Sequence, residues 1–358
     1  MIERRLLALV AWVLVTAACG RMAWAAAPQP DPASVQIKAA TVPLSDLVSR
    51  QARSAFIAAR KQPPDPNFGA NVAALRKFHS KGTDKILAVM KRLYATDISR
   101  ETLGGVRVDV VVPSAGIAPQ NRDRMLIELH SGGFLWGAGS EALLEAIPIA
   151  AVGRIKVVSV DYRMAPEAAF PAASEDVAAV YRALLQQFRP QNVGIYGCSA
   201  GGILAAESVA WFAVHHIPQP GAIASLCGTG AELQGDSGYL APLLLGTGGV
   251  PVGGKPLLLV GLPYFKGVSE QNPLAFPILS PQILKQFPPT LLIAGGRDFT
   301  ESSETLMQRR LWEAGAHSDL FIFDGLWHAF MMDPKLPESR EVYGIVWRFF
   351  DMHLRSSK

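Results

Sequence analysis

Residues 192–203 read NVGIYGCSAGGI, and no other stretch leaves the chain so few ways to fold. Asn192 to Tyr196 have the make-up of a short buried strand, and the residues from Gly201 onward open a run suited to a helix. Gly197-Cys198-Ser199-Ala200-Gly201 must therefore turn the chain sharply, with serine at the apex. A residue held there occupies a sparsely populated backbone conformation, at a cost on the order of 1–3 kcal/mol. Strand and helix pass so close that a Cβ two residues to either side of the serine would clash, hence glycine at 197 and 201. Such a turn projects Oγ of Ser199 above a sheet and aims the amide of Ala200 into the same space.

A strand–turn–helix unit calls for parallel neighbours. Residues 106–112 alternate apolar and polar side chains before Pro113, and 125–130, 156–161, 221–227, 290–295 and 320–323 are further short strand candidates. Helical spacing is predicted between them, over 141–151, 174–188 with Ser174 as N-cap, 204–214, 301–314 and 339–353. This alternation predicts an α/β fold with a mostly parallel central sheet flanked by helices. Two segments stand outside it. Residues 44–60 and 72–94 have helical spacing ahead of the first predicted strand, separated by the breaker Gln62-Pro63-Pro64-Asp65-Pro66, and lie over the sheet rather than in it. Residues 228–288 are long, rich in Gly and Pro, yet apolar, as expected of a lid.

With 49% hydrophobic and 18% charged residues in a chain of 358, a large core is available. The formal charge is only +4, part of it carried by Arg4, Arg5 and Arg21, and no Lys/Arg block occurs, so no nucleic-acid partner is expected. Residues 1–25 combine a basic start, an apolar centre and the site Ala23-Trp24-Ala25, the pattern of a cleaved secretory signal. The centre is too short to span a bilayer, and no later stretch approaches the roughly 18 apolar residues a span requires. The mature chain is thus expected in a secreted or periplasmic location without a stable membrane span. A lipoprotein anchor at Cys19 is the lesser alternative, because Thr16 fits that signal poorly. Beyond the leader only Cys198 and Cys227 remain, so no disulfide framework exists. Buried free thiols are expected, with a single bridge as the alternative.

A serine hydroxyl becomes nucleophilic only when a base takes its proton, and that base needs a third group to orient it. In open α/β sheets such groups stand at the carboxyl ends of strands. Asp298 follows the strand predicted at 290–295, and His328 lies in the loop after the next one. The order Ser199, Asp298, His328 is the order this architecture uses. Asp324 is read as capping the turn at Gly325, Asp161 as structural, and His79, His215, His216, His317 and His353 as histidines of helix surfaces or ends. The oxygen that becomes negative on attack needs preset donors, and His130-Ser131-Gly132-Gly133-Phe134 supplies consecutive unobstructed amides directly after a strand.

These residues carry a resemblance. His130-Ser131-Gly132-Gly133-Phe134 resembles the HGGGF motif of the hormone-sensitive-lipase-like esterases, a branch of the α/β-hydrolases. Asp161-Tyr162-Arg163-Met164-Ala165-Pro166-Glu167 is similar to that family's DYRLAPE, and Gly197-Cys198-Ser199-Ala200-Gly201-Gly202 to its GDSAGG. Asn272-Pro273-Leu274 resembles the start of its DPLxSP segment, and Gly325-Leu326-Trp327-His328 its histidine loop. The match runs from about Val106 to the C-terminus. It implies an α/β-hydrolase fold with a helical cap, Ser199 as nucleophile, His328 as general base and acid, and Asp298 as orienting carboxylate. Oxyanion donors are implied at Gly132, Gly133 and Ala200, with His130, Asp161, Glu167, Gly197 and Gly201 as structural support. The implied organisation is a signal peptide at 1–25, a linker at 26–43, cap helices at 44–100, and a catalytic domain at 101–358 carrying a cap insertion at about 228–288.

Two departures stand out. Ser131 replaces the first glycine of the loop, and Cys198 replaces the acidic neighbour of the nucleophile, removing a charge and its bonds. The expected activity is serine carboxylester hydrolysis on short- to medium-chain acyl or aryl esters, without cofactor or metal, by a monomer or homodimer. HSGGF is also similar to the HGGxW of arylformamidases on the same fold, so a formamide, a lactone or an acetylated sugar is the alternative substrate. A non-catalytic binding relative is the alternative from another class.

Overall fold

The computed structural model describes residues 41–61, 71–245 and 258–355. The expected signal peptide, Cys19, most of the linker and the Gln62–Pro66 breaker lie outside these residues, as does 246–257 within the insertion.

Eight strands form one sheet: β1 (Thr96–Leu103), β2 (Val106–Pro113), β3 (Met125–Leu129), β4 (Val157–Val160), β5 (Val193–Cys198), β6 (Ala222–Leu226), β7 (Thr290–Arg297) and β8 (Ser318–Trp327), in the order β1-β2-β4-β3-β5-β6-β7-β8. β2 pairs antiparallel with β1 and β4, and every other neighbour is parallel. The central strands are buried on both faces, which is why they read as apolar runs rather than alternating ones. On β7, Leu292 packs into one core while Leu291 and Ile293 pack into the other.

Helices cover both faces. On one side lie α3 (Ser140–Gly153) and α9 (Pro337–His353), joined at their margin by α1 (Arg50–Ala59) and α2 (Val72–Leu93). On the other lie α4 (Ala172–Leu184), α5 (Ala200–Val214) and α8 (Glu301–Glu313). The insertion holds α6 (Asp236–Leu245) and α7 (Pro281–Leu284). Among the described residues no helix is long and apolar enough to cross a membrane.

Four local expectations need correction. β1 is absent from the strands expected of the sequence, because its exposed edge position leaves it polar on both faces; it runs across the boundary expected at residues 100–101. α1 starts at Arg50 rather than 44, because Ser49 caps it by accepting the Ala52 amide at 3.0 Å. α4 starts at Ala172, directly after Pro171, so Ser174 is buried inside the helix and is not its cap. β8 continues through Trp327, and Asp324 accepts the Ser45 hydroxyl instead of capping a turn.

Candidate active site

β5 ends at Cys198 and α5 begins at Ala200, leaving Ser199 alone at the bend with φ 56° and ψ −119°. This is the strained conformation expected of that serine. A Cβ on Gly201 would sit 1.7 Å from the carbonyl oxygen of Leu129, and one on Gly197 2.2 Å from the same atom. The glycines therefore answer to the neighbouring strand β3 as much as to each other.

β7 and β8 deliver the partners. Asp298 follows β7 and His328 follows β8, both at the carboxyl edge that carries Ser199. His328 Nε2 lies 2.9 Å from Ser199 Oγ, and His328 Nδ1 lies 2.9 Å from Asp298 Oδ1. Asp298 is fully buried. Burial alone would raise its carboxyl, but the His328 charge, hydrogen bonds from His328 and Cys227, and the Thr300 amide hold it below the ordinary carboxylate value. An ionised Asp298 accepts the proton on Nδ1 and so leaves the Nε2 lone pair facing Oγ. Phe299 stacks on the imidazole at 4.4 Å and limits its rotation.

Ser131, Gly132, Gly133 and Ala200 line the same cavity as Ser199. The Gly132 and Gly133 amides donate to no acceptor among the described residues, and the Ala200 amide belongs to the first, unpaired turn of α5. His130 props this loop from beneath. Its ring stacks on Tyr162 at 4.1 Å, its Nδ1 donates to Ser131 O at 2.7 Å, and Tyr162 Oη donates to His130 O at 2.6 Å. Burial lowers His130 to about 4, so the ring is neutral.

The sequence reading missed Glu145. From the buried face of α3 its Oε1 accepts the Ser131 amide at 3.0 Å and its Oε2 accepts the Cys198 amide at 2.9 Å. One carboxyl thus ties the Gly132–Gly133 loop to the turn that carries Ser199. Burial pushes Glu145 up to about 8, against the pull of those two amides.

Asp161 and Glu167, expected as structural support, each form an ion pair with an arginine from another element. Neither lines the cavity at Ser199. Asp161 pairs with Arg107 beside a separate cleft that His130 also touches. Glu167 takes a two-pronged bond from Arg76 of α2, at 2.7 and 2.8 Å. Arg76 Nε also donates to Leu135 O at 2.7 Å, so Glu167 is linked to the chain just after the Gly132–Gly133 loop through an arginine of α2 that the sequence reading overlooked. Cys198 and Cys227 are buried and free.

The cavity measures about 450 Å³. Leu233, Leu259 and Leu262 from the insertion and His79 from α2 form much of its wall, so both segments expected over the sheet reach the site. His79 is no surface histidine: it stacks on Trp136 at 4.1 Å. Among the described residues, Glu141 is the one carboxylate lining the cavity; it accepts from Trp136 Nε1 at 3.2 Å, and burial raises it to about 7.

Residues 126–332 match the family profile of the alpha/beta hydrolase fold. The chain belongs to the alpha/beta hydrolase fold family. This hydrolase is 27% identical over 277 residues to an acetyl-hydrolase of Streptomyces hygroscopicus, a match covering 73% of this chain and 89% of that one. It is 24% identical over 255 residues to an esterase of Acinetobacter venetianus, covering 69% and 79% respectively. The crystal structure of an esterase aligns with TM-score 0.77 at 27% identity, over 90% of this chain and 99% of that one. An esterase of the bacterial hormone-sensitive lipase family shares the fold at TM-score 0.70 and 22% identity, over 86% and 99%. The hydrolase is an enzyme of the carboxylesterase type, in keeping with the hormone-sensitive-lipase-like motifs.

Proposed function

We propose that this hydrolase cleaves short- to medium-chain acyl or aryl esters through an acyl-enzyme on Ser199. The observation that carries the reading is the chain of contacts Ser199–His328–Asp298, at 2.9 Å in each link, opening into a cavity with free amides. As Ser199 Oγ attacks the ester carbonyl, His328 Nε2 takes its proton. Asp298 holds the imidazolium that results. The carbonyl oxygen becomes negative and is met by the amides of Gly132, Gly133 and Ala200, an interaction worth roughly 10²–10³ in rate per donor. His328 then protonates the leaving alcohol, and water attacks the acyl-enzyme by the reverse route.

A cavity of about 450 Å³ with three leucines in its wall supports small apolar acyl or aryl groups. The acetyl-hydrolase relative supports the short end of that range. Export follows from the leader pattern of residues 1–25 and is part of the proposal.

Turnover of p-nitrophenyl acetate, butyrate and decanoate beside a formanilide tests the substrate class. Acetate and butyrate are expected to lead. Faster formanilide cleavage would replace the ester reading with an amide one.

A further inference from the structure

Away from Ser199, the described residues bring a second set of metal-ligating side chains together. His317 lies in the loop before β8, Asp319 at the start of that strand, and His353 at the end of α9. A ring nitrogen of each histidine and a carboxylate oxygen of Asp319 all lie within 4.8 Å of one another. They converge without a hydrogen bond among them. His317 Nε2 and Asp319 Oδ2 are 3.5 Å apart, beyond the range of about 2.7–3.2 Å for N–H···O bonds. The His317 and His353 rings have centroids 4.9 Å apart and are tilted by 47°, so they do not stack. No hydrogen bond among the described residues takes up the donor atoms of the three side chains.

We propose that His317, Asp319 and His353 bind a divalent transition-metal ion of the zinc, nickel or copper class. Two imidazoles and one carboxylate suit these ions, whereas magnesium and calcium favour all-oxygen sites. Zinc sits about 2.0–2.2 Å from nitrogen and oxygen ligands, so donors already within 4.8 Å need only small side-chain rotations to surround it. All three side chains are at least partly exposed, and water completes the coordination.

A second cluster, Cys227, Asp298 and His328, has the same spacing but a different chemistry. There the imidazole is already spent on Asp298 and Ser199. At the outer cluster the one ion pair among the described residues is the 3.5 Å contact between His317 and Asp319, both of them ligands themselves. Its ligands come from two segments, residues 317–319 and the end of α9, so a bound ion fastens the end of α9 to the start of edge strand β8. β8 is 10 residues long and rises about 3.3 Å per residue, which separates the ion from His328 by about 30 Å. The site therefore acts on stability and not on ester hydrolysis. It left no mark in the sequence, because only His317 and Asp319 are close along the chain.

The test is calorimetric titration of Zn²⁺ into the chelator-treated protein, its His353→Ala and Asp319→Asn variants, and a Cys227→Ala variant. The parent and Cys227→Ala are expected to bind one zinc that the other two bind about tenfold or more weakly. Zinc is expected to raise the melting temperature of the parent but not that of His353→Ala, with ester turnover unchanged. Equal zinc binding by the parent, His353→Ala and Asp319→Asn would overturn the proposal. So would binding that vanishes only in Cys227→Ala and tracks loss of turnover, since that ion would sit at the catalytic cluster.

Discussion

Glu145 accepts the amide of Cys198 at 2.9 Å, which fastens helix α3 to the residue just before Ser199. Its second oxygen holds Ser131 at 3.0 Å, so the distance between Ser199 and the Gly132–Gly133 amides depends on a side chain that does not line the cavity. Glu145→Gln turns an N–H toward one of those amides and breaks that tie. The expected result is a kcat lower by about tenfold to a hundredfold, the scale of a small misplacement of reacting groups. KM should change little. Steady-state kinetics beside thermal unfolding checks this, and a drop in melting temperature without a drop in kcat would make Glu145 a packing residue only.

Asp298 Oδ1 lies 2.9 Å from His328 Nδ1, the ring nitrogen on the side away from Ser199. In an Asp298→Asn variant the new side-chain amide can present its N–H to Nδ1 and so favour the wrong tautomer. Its kcat is expected to fall by about 10⁴ with the fold intact, as measured by activity and circular dichroism.

The carboxyl of Glu141 brings a pH dependence into the cavity. Burial raises it to about 7, so it is neutral below that pH and negative above it. An ester with an anionic acyl chain should therefore bind worse as the pH rises through 7, while a neutral ester of equal size should not. A rise in KM of roughly tenfold corresponds to about 1.4 kcal/mol of like-charge repulsion. KM profiles for a hemisuccinate and a butyrate ester check the sign, and Glu141→Gln should flatten the difference.

The parts of the site that are local in sequence were legible in it. Gly197 and Gly201 announce the bend because no other residue fits against Leu129, and the sheet order makes Asp298 and His328 follow adjacent strands. What stayed hidden depends on distant partners. Glu145 and Glu141 are lone acids in the apolar run SEALLEAIPIAA, a signal that something buried must accept them, but not what. Asp161 and Glu167 stand in a recognisable motif, yet their partners Arg107 and Arg76 come from β2 and α2. β1 carried one usable sign, the Gly104–Gly105 pair, both at positive φ in a two-residue hairpin turn.

The central claim is that His328 draws a proton from Ser199 at 2.9 Å and makes it the attacking group. Labelling with a fluorophosphonate, followed by mass spectrometry of the parent and of Ser199→Ala, measures this directly. One equivalent of label on Ser199 is expected, with no label on the variant and a turnover of p-nitrophenyl acetate lower by about a millionfold. An unlabelled parent, or a Ser199→Ala variant that keeps its turnover, would contradict the account.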